Sequence, residues 1–334
     1  MASSAGPEAV PNVPPAIRDL AVLAVLALVL RFVLPSVSLA TEVLIFAIAV
    51  AGCTLLLGYA GLMSFGQSLF FGGGSYLTAF ALSGLGLSLL PGLLVGALAG
   101  AAIAGVVGVF AIRKRGVYFV MLTLAFSQVG YFLVLAFGTV TGGENGLTDV
   151  PRPVAALAGH TVSTLATPEA FYGATAAVFV LVFVVLGRIV RSPFGAVVTA
   201  LRENDLRAEA LGFDVLRYKW AAFVVAGAVT GLAGALHAMF IGYVPLNNIE
   251  FELSERIVIM AILGGTGSFY GAFLGSLIYN VAADVLSSIW PRWLFGVGVT
   301  LIAVVLLLRG GAWSGVEVAR QGLSGLAARL RGRR

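Results

Sequence analysis

Reactive side chains are scarce in this chain: its 334 residues include one cysteine, two histidines and two lysines. The cysteine, Cys53, lies inside an apolar run, and alone it excludes an intrachain disulfide. His160 and His237 stand far apart, so no His-Glu-x-x-His and no Cys-x-x-Cys metal site can be written. Lys114 follows Arg113 and Lys219 follows Tyr218, whereas a phosphate-binding P-loop needs Gly-Lys-Ser/Thr. No ATPase site of that kind is present, nor is a Gly-x-Ser-x-Gly nucleophile elbow. The composition predicts a protein that is not an enzyme and carries no metal, cofactor or catalytic residue.

Charge is equally thin. Only 10% of the residues are charged and 60% are apolar, with a mean hydropathy of +1.03; a soluble domain carries about 25% charged residues. Apolar runs of about 18 residues or more recur along the chain, each long enough to cross a bilayer as a helix. They do not alternate as the strands of a membrane barrel do. The abundant glycine, 43 residues, suits close helix packing in lipid. The reading is an all-α polytopic integral membrane protein with about ten transmembrane or broken helices. Candidate spans are 17–35, 39–58, 62–83, 87–112, 117–138, 169–187, 218–240, 254–265, 268–286 and 292–308.

The net charge of +5 does not point to nucleic acid, because its basic residues flank apolar spans, as in Arg113-Lys114-Arg115 and the five arginines of positions 320–334. Topology and lipid headgroups account for such groups. With the N-terminus inside, ten crossings put 113–115, the 188–217 loop and the C-terminal tail in the cytoplasm. The same count puts 139–168 outside, where Arg152 is the only Lys or Arg. This divides the chain into a disordered Pro-rich tail at 1–16 with no signal-peptide cleavage site, a transmembrane domain at 17–310, and a basic cytoplasmic tail at 311–334.

Two spans read as irregular. GYAGLMSFGQSLFFGGGSY at 58–76 contains Gly58, Gly61, Ser64 and Gln67, and GGTGSFYGAFLG at 264–275 contains Gly264, Gly265 and Gly267. Such segments either break to line a pathway or let helices approach closely; both readings stand. Their places in opposite halves of the chain hint at an internal duplication. Glu42, Asp284 and the group Glu250, Glu252, Glu255 and Arg256 lie near span ends and are expected to reach an interface. No deep carboxylate relay is visible, so the energy source is expected outside this chain.

The polar stretch 188–219 stands out most. It gathers six basic residues and four acids in a helix-prone loop between apolar spans. Leu201, Ala208 and Leu211 recur at helical intervals, and Gly212 is placed to end the helix. The loop either docks on a soluble partner or lies on lipid headgroups; interleaved acids favour docking over the Lys/Arg-rich face of a surface helix. At 141–147, TGGENGL offers either an anion-binding nest from Gly142 and Gly143 or a tight turn.

These blocks, in order and together with RGVYFVMLTLAFSQV at 115–129, AGAVTGLAGAL at 226–236 and the continuation GSLIY to 279, resemble the LivM-type permease subunit of high-affinity branched-chain amino acid ABC importers, from about residue 40 to 310. The resemblance implies partners: one or two ABC ATPase subunits, a second homologous permease, a periplasmic solute-binding protein and membrane lipid. It implies that Arg202, Glu203, Leu206, Glu209, Ala210, Leu211 and Gly212, in a cytoplasmic coupling helix between the sixth and seventh spans, meet the ATPase. It also puts Gly58, Gly61, Ser64, Gln67, Gly142, Gly143, Glu144, Asn145, Gly264, Gly265 and Gly267 on a translocation pathway. Leu62, Gln67, Ser127 and Gln128 depart from the family pattern, which leaves branched-chain amino acids, urea, short amides and aromatic acids all open as solutes. A gradient-driven transporter or channel needing no ATPase is the alternative from another class.

Overall fold

The computed structural model describes residues 15–148, 150–151, 154–157, 160–164 and 167–289, with isolated positions between 292 and 313. Most of the tail expected at 1–16, Arg152, most of the expected 292–308 span and residues 314–334 of the basic tail lie outside the described residues.

Twelve α-helices are described: α1 (Pro15–Val33), α2 (Val37–Thr54), α3 (Gln67–Leu85), α4 (Leu89–Ala111), α5 (Val117–Ala136), α6 (Gly138–Thr141), α7 (Pro168–Val190), α8 (Pro193–Glu203), α9 (Asp205–Ala210), α10 (Val215–Ile241), α11 (Phe251–Gly264) and α12 (Phe269–Ile289). The helix α2 continues as a π-helical turn, Leu55–Ala60. A short antiparallel hairpin, Val154–Leu157 with His160–Thr164, is the one departure from helix among the described residues besides loops and turns. Helix starts follow local chemistry. Ser36 accepts a hydrogen bond from the Leu39 amide, and Thr167 accepts one from Ala170 with Pro168 in the first turn.

Among the described residues, six helices are long and apolar enough to cross a membrane: Val37–Ala60, Leu89–Ala111, Val117–Ala136, Pro168–Val190, Val215–Ile241 and Phe269–Ile289. This is fewer than the ten expected, and the physical reason differs by segment. The apolar part of α1 is short (Leu20–Val33), α3 is diluted by glycine and polar residues, and α11 has 14 residues. At 1.5 Å per residue α11 is about 21 Å long, against about 30 Å of hydrocarbon. The expected 254–265 span is thus too short to cross unaided.

The helix Val37–Ala60 is central: 89% of its apolar stretch is buried, against 28% for Val117–Ala136 and for Pro168–Val190, which are peripheral. α10, α12, α7 and α11 surround it, and beyond α10 the helices α3, α4 and α10 pack on one another at backbone contact. A Cβ on Gly74 would run into the Gly231 carbonyl, and one on Gly100 would run into that of Gly227. Small residues let these backbones touch, which is how helices gain contact area where no hydrophobic effect drives them together.

Candidate functional site

The chain reverses after Ala60. Gly61 adopts φ +68°, a left-handed conformation open to glycine, and residues 62–66 run without helix until α3 begins at Gln67. A second interruption separates α11 from α12, where Gly265 has φ +98°. The two meet in space. A Cβ on Gly58 would strike the Thr266 carbonyl, Tyr59 donates to the Gly267 carbonyl oxygen at 3.4 Å, and the Tyr59 and Phe269 rings stack at 5.1 Å. The glycine blocks both break the helices and let them approach closely, at different positions. Gly61 and Gly265 turn the chain, whereas Gly264, Gly271 and Gly275 let α11 and α12 touch.

Beside the first interruption lies a seam of buried hydroxyls and amides. Gln67 is fully buried, and its Oε1 accepts from the Thr230 hydroxyl at 2.8 Å. Its Nε2 has no hydrogen-bond partner among the described residues. The Phe65 amide donates to Thr123 Oγ1 at 3.2 Å, and the Gly66 amide donates to Ser64 Oγ at 3.2 Å. Ser68 pairs with Ser127 at 2.7 Å, while its amide donates to Ser254 Oγ at 2.7 Å. Neutral side chains here satisfy backbone groups that interrupted helices leave open. Nothing in the sequence singles out Thr123, Thr230 or Ser254, because a lone hydroxyl in an apolar run carries no pattern; Ser127 stands out solely as a departure from the family pattern.

The polar loop is two helices, not one. Asn204 breaks them with an extended backbone and caps α9, accepting from the Arg207 amide at 3.1 Å. At the far end the Gly212 amide donates to Glu209 O at 2.9 Å and the Phe213 amide to Ala208 O at 3.2 Å, with Gly212 at φ +88°. That is a Schellman stop, in keeping with the terminating role read for Gly212. The apolar stripe is redistributed. Leu201 and Ala208 are buried with Val215 against Val197 and Tyr218, so they are not offered to a partner. Leu206 and Leu211 are 66% and 73% exposed, alongside exposed Glu203, Glu209 and Ala210.

Two tethers hold this loop to the helix ends. Arg202 Nη1 donates to the Gly58 carbonyl oxygen, and a Cβ on Gly61 would sit 2.9 Å from Arg202 Cγ. Asp205 pairs with Lys219 at 2.6 Å and lies 3.7 Å from Arg115. Arg202 thereby joins α8 to the place where both interruptions meet.

Elsewhere the sequence-predicted residues separate. In 141–147, Gly142, Gly143 and Gly146 all have positive φ. The amides of Gly142, Gly143, Asn145 and Gly146 bond to Gly138 O, Thr141 Oγ1, Gly142 O and Gly143 O, and Glu144 is exposed. Four amides turned inward describe a tight turn, pinned by the Leu147–Val244 bridge. Glu252 and Glu255 are exposed, and Glu42, Glu250 and Arg256 are partly exposed; Glu42, Glu250, Glu252 and Arg256 also come together. They share one cavity with His237, Asn247 and Asn248.

Comparison with known proteins gives this arrangement its context. The family described as branched-chain amino acid transport system / permease component matches residues 36–308. The chain belongs to this permease family. The permease is 29% identical over 271 residues to the high-affinity branched-chain amino acid transport system permease protein LivM of Escherichia coli (strain K12), covering 75% of this chain and 63% of that protein. It is 28% identical over 218 residues to the autoinducer 2 import system permease protein LsrC of Enterobacter sp. (strain 638), covering 54% and 62%. It is 32% identical over 134 residues to the L-arabinose ABC transporter permease protein AraH of Azospirillum brasilense, covering 37% and 39%. The permease spans less than two thirds of the length of its LivM relatives. No solved structure matches it. With six apolar helices and this family, it is a multi-pass membrane protein of a transport family and not an enzyme.

Proposed function

We propose that the permease is the membrane-spanning subunit of an ABC importer in a bacterial inner membrane. In this reading it moves branched-chain amino acids or a related small polar solute, driven by ATP hydrolysis in one or two separate ATPase subunits. A second homologous permease completes the pore and a periplasmic binding protein delivers the solute. Membrane lipid surrounds the remainder, and both termini are cytoplasmic. The segments beyond the six long helices bring the passage count to about ten, with 17–310 as one transmembrane unit between its two tails.

The observation that carries this reading is the loop at 191–215. It exposes Leu206 and Leu211 to a partner while Arg202 ties the same loop to Gly58. A partner bound to α9 and a rearrangement of the interrupted helices are then mechanically continuous, provided the docked states differ in their contacts. Gly58, Gly61, Ser64, Gln67, Gly264, Gly265 and Gly267 are the pathway residues this favours; Gly142 to Asn145 are assigned to a turn at its margin. Branched-chain amino acids are preferred over urea, short amides and aromatic acids on the LivM relatives' names.

The test is an affinity pull-down of the tagged chain from native membranes. A P-loop ATPase and a second permease should be recovered, and deletion of residues 202–212 should release the ATPase while the chain remains inserted. A chain recovered alone that still carries flux in liposomes without ATP would sink the proposal.

A further inference from the structure

Glu42 on α2, His237 on α10, Asn247 and Asn248 in the turn before α11, and Glu250, Glu252 and Arg256 at the start of α11 surround a cavity of about 150 Å3 that opens to solvent. That is below the roughly 300 to 1,000 Å3 of pockets that hold drug-sized molecules, so it suits only a small solute. The arrangement of charge in it is unusual. The Arg256 guanidinium acts electrostatically on Glu42, His237 and Tyr279. Yet no salt bridge joins it to an acid among the described residues, and its Nε is buried without a hydrogen-bond partner. A buried charged donor left open costs free energy that a ligand can recover. Glu42 is only half-buried and faces it from the opposite element; Asp284 on α12 also acts on Glu42.

Phe46, Leu253 and Pro245 form the apolar part of the lining. Asn248 is buried and held in place, its Nδ2 lying 3.2 Å from His237 Nδ1 and 3.4 Å from the Ser75 hydroxyl. A lone anion would meet Glu42, Glu250 and Glu252, and a lone cation would meet Arg256. A neutral solute would leave both signs unanswered. A molecule with both charges on one carbon answers each in turn.

We propose that this cavity binds a zwitterionic α-amino acid, its carboxylate taken by Arg256, its ammonium by Glu42, and its aliphatic side chain against Phe46 and Leu253. Guanidinium suits the first task because its fork matches a carboxylate with two parallel hydrogen bonds. The proposal rests on the reading of this chain as an amino acid permease, and it assigns that solute to residues of this chain, apart from whatever a binding protein selects.

The test uses the full-length chain in lipid nanodiscs, without binding protein, and follows its melting with three probes: L-leucine, L-leucinol (no carboxylate) and 4-methylpentanoate (no ammonium). A ligand that binds only the folded state raises the melting temperature with concentration. L-Leucine should stabilise the chain, and each analogue should bind roughly tenfold more weakly or worse, the loss expected for one charge-assisted contact. The variants should cross over. Arg256→Gln should weaken leucine while leaving leucinol unchanged; Glu42→Gln should weaken leucine while leaving 4-methylpentanoate unchanged; Arg256→Lys should retain part of the leucine affinity. Misfolding would lower all three probes together. The wild-type analogue series needs no variant at all.

Equal binding of all three probes, or none, overturns the site. ATP-driven uptake by the assembled importer separates the two ideas. Leucine uptake without the crossed pattern leaves the permease reading standing and removes the site, whereas uptake of no amino acid removes both.

Discussion

Gly231 faces the Gly96 carbonyl and lies where a Cβ would come within 2.8 Å of Gly100 Cα, with backbone on every side and no flexible side chain to yield. Gly231→Ala should therefore destabilise the chain by about 1–3 kcal/mol, the usual cost of overpacking. Gly173→Ala is the matching control: nothing lies within 4 Å of its Cβ and it sits in α7, so the change should be neutral or stabilising by up to about 1 kcal/mol. Thermal melts of the two purified variants check this, and equal effects would contradict the packing. At this scale the sequence was legible where a residue type has few uses. Gly212 ends its helix, as its setting in the sequence indicates, whereas only the structure shows that Gly61 and Gly265 stand at turns. Thr230 and Ser254 could not be singled out, since their role comes from which side chain stands opposite, Gln67 and Ser68.

Between elements, the stretch expected as one coupling helix is divided in two: α8 carries the Arg202 tie, and α9 with its C-terminal cap carries the exposed leucines. Leu206 and Leu211 are exposed, so Leu206→Ser with Leu211→Ser should change stability by no more than about 0.5 kcal/mol. If α9 docks on an ATPase, co-purification of that subunit should fall sharply all the same. Arg202→Ala should separate docking from transmission: the ATPase stays bound and hydrolyses ATP, but solute moved per ATP falls, because the tie to Gly58 is lost. Retained coupling in Arg202→Ala would remove that tie from the mechanism. The expected stripe of Leu201, Ala208 and Leu211 failed for a specific reason. Asn204 interrupts the helix, the phase of the face shifts, and Leu201 and Ala208 fold back onto Val215. Periodicity is trustworthy only while the helix is continuous.

For the whole molecule the question is what supplies energy. The buried seam around Gln67 is built of neutral groups, and three acids and one arginine line the cavity by Glu42 and Arg256. Uptake by the assembled transporter in liposomes should collapse when ATP is withheld and should persist when an uncoupler dissipates the proton gradient; the opposite pair of results would favour a gradient-driven transporter. Composition by itself determined that this chain lives in a membrane and lacks its own P-loop ATPase, and the order of its blocks pointed to the permease family. Hydropathy, glycine turns and charged loops are local properties, readable along one dimension. Tertiary structure decided the rest: that the two glycine interruptions meet at Gly58 and Thr266, that Arg202 reaches them, and that Glu42 and Arg256, more than two hundred positions apart, face one cavity. Those pairings depend on how close α8, α11 and α12 come to the central helix and its π-helical turn, and that distance is set by side chains on several helices at once.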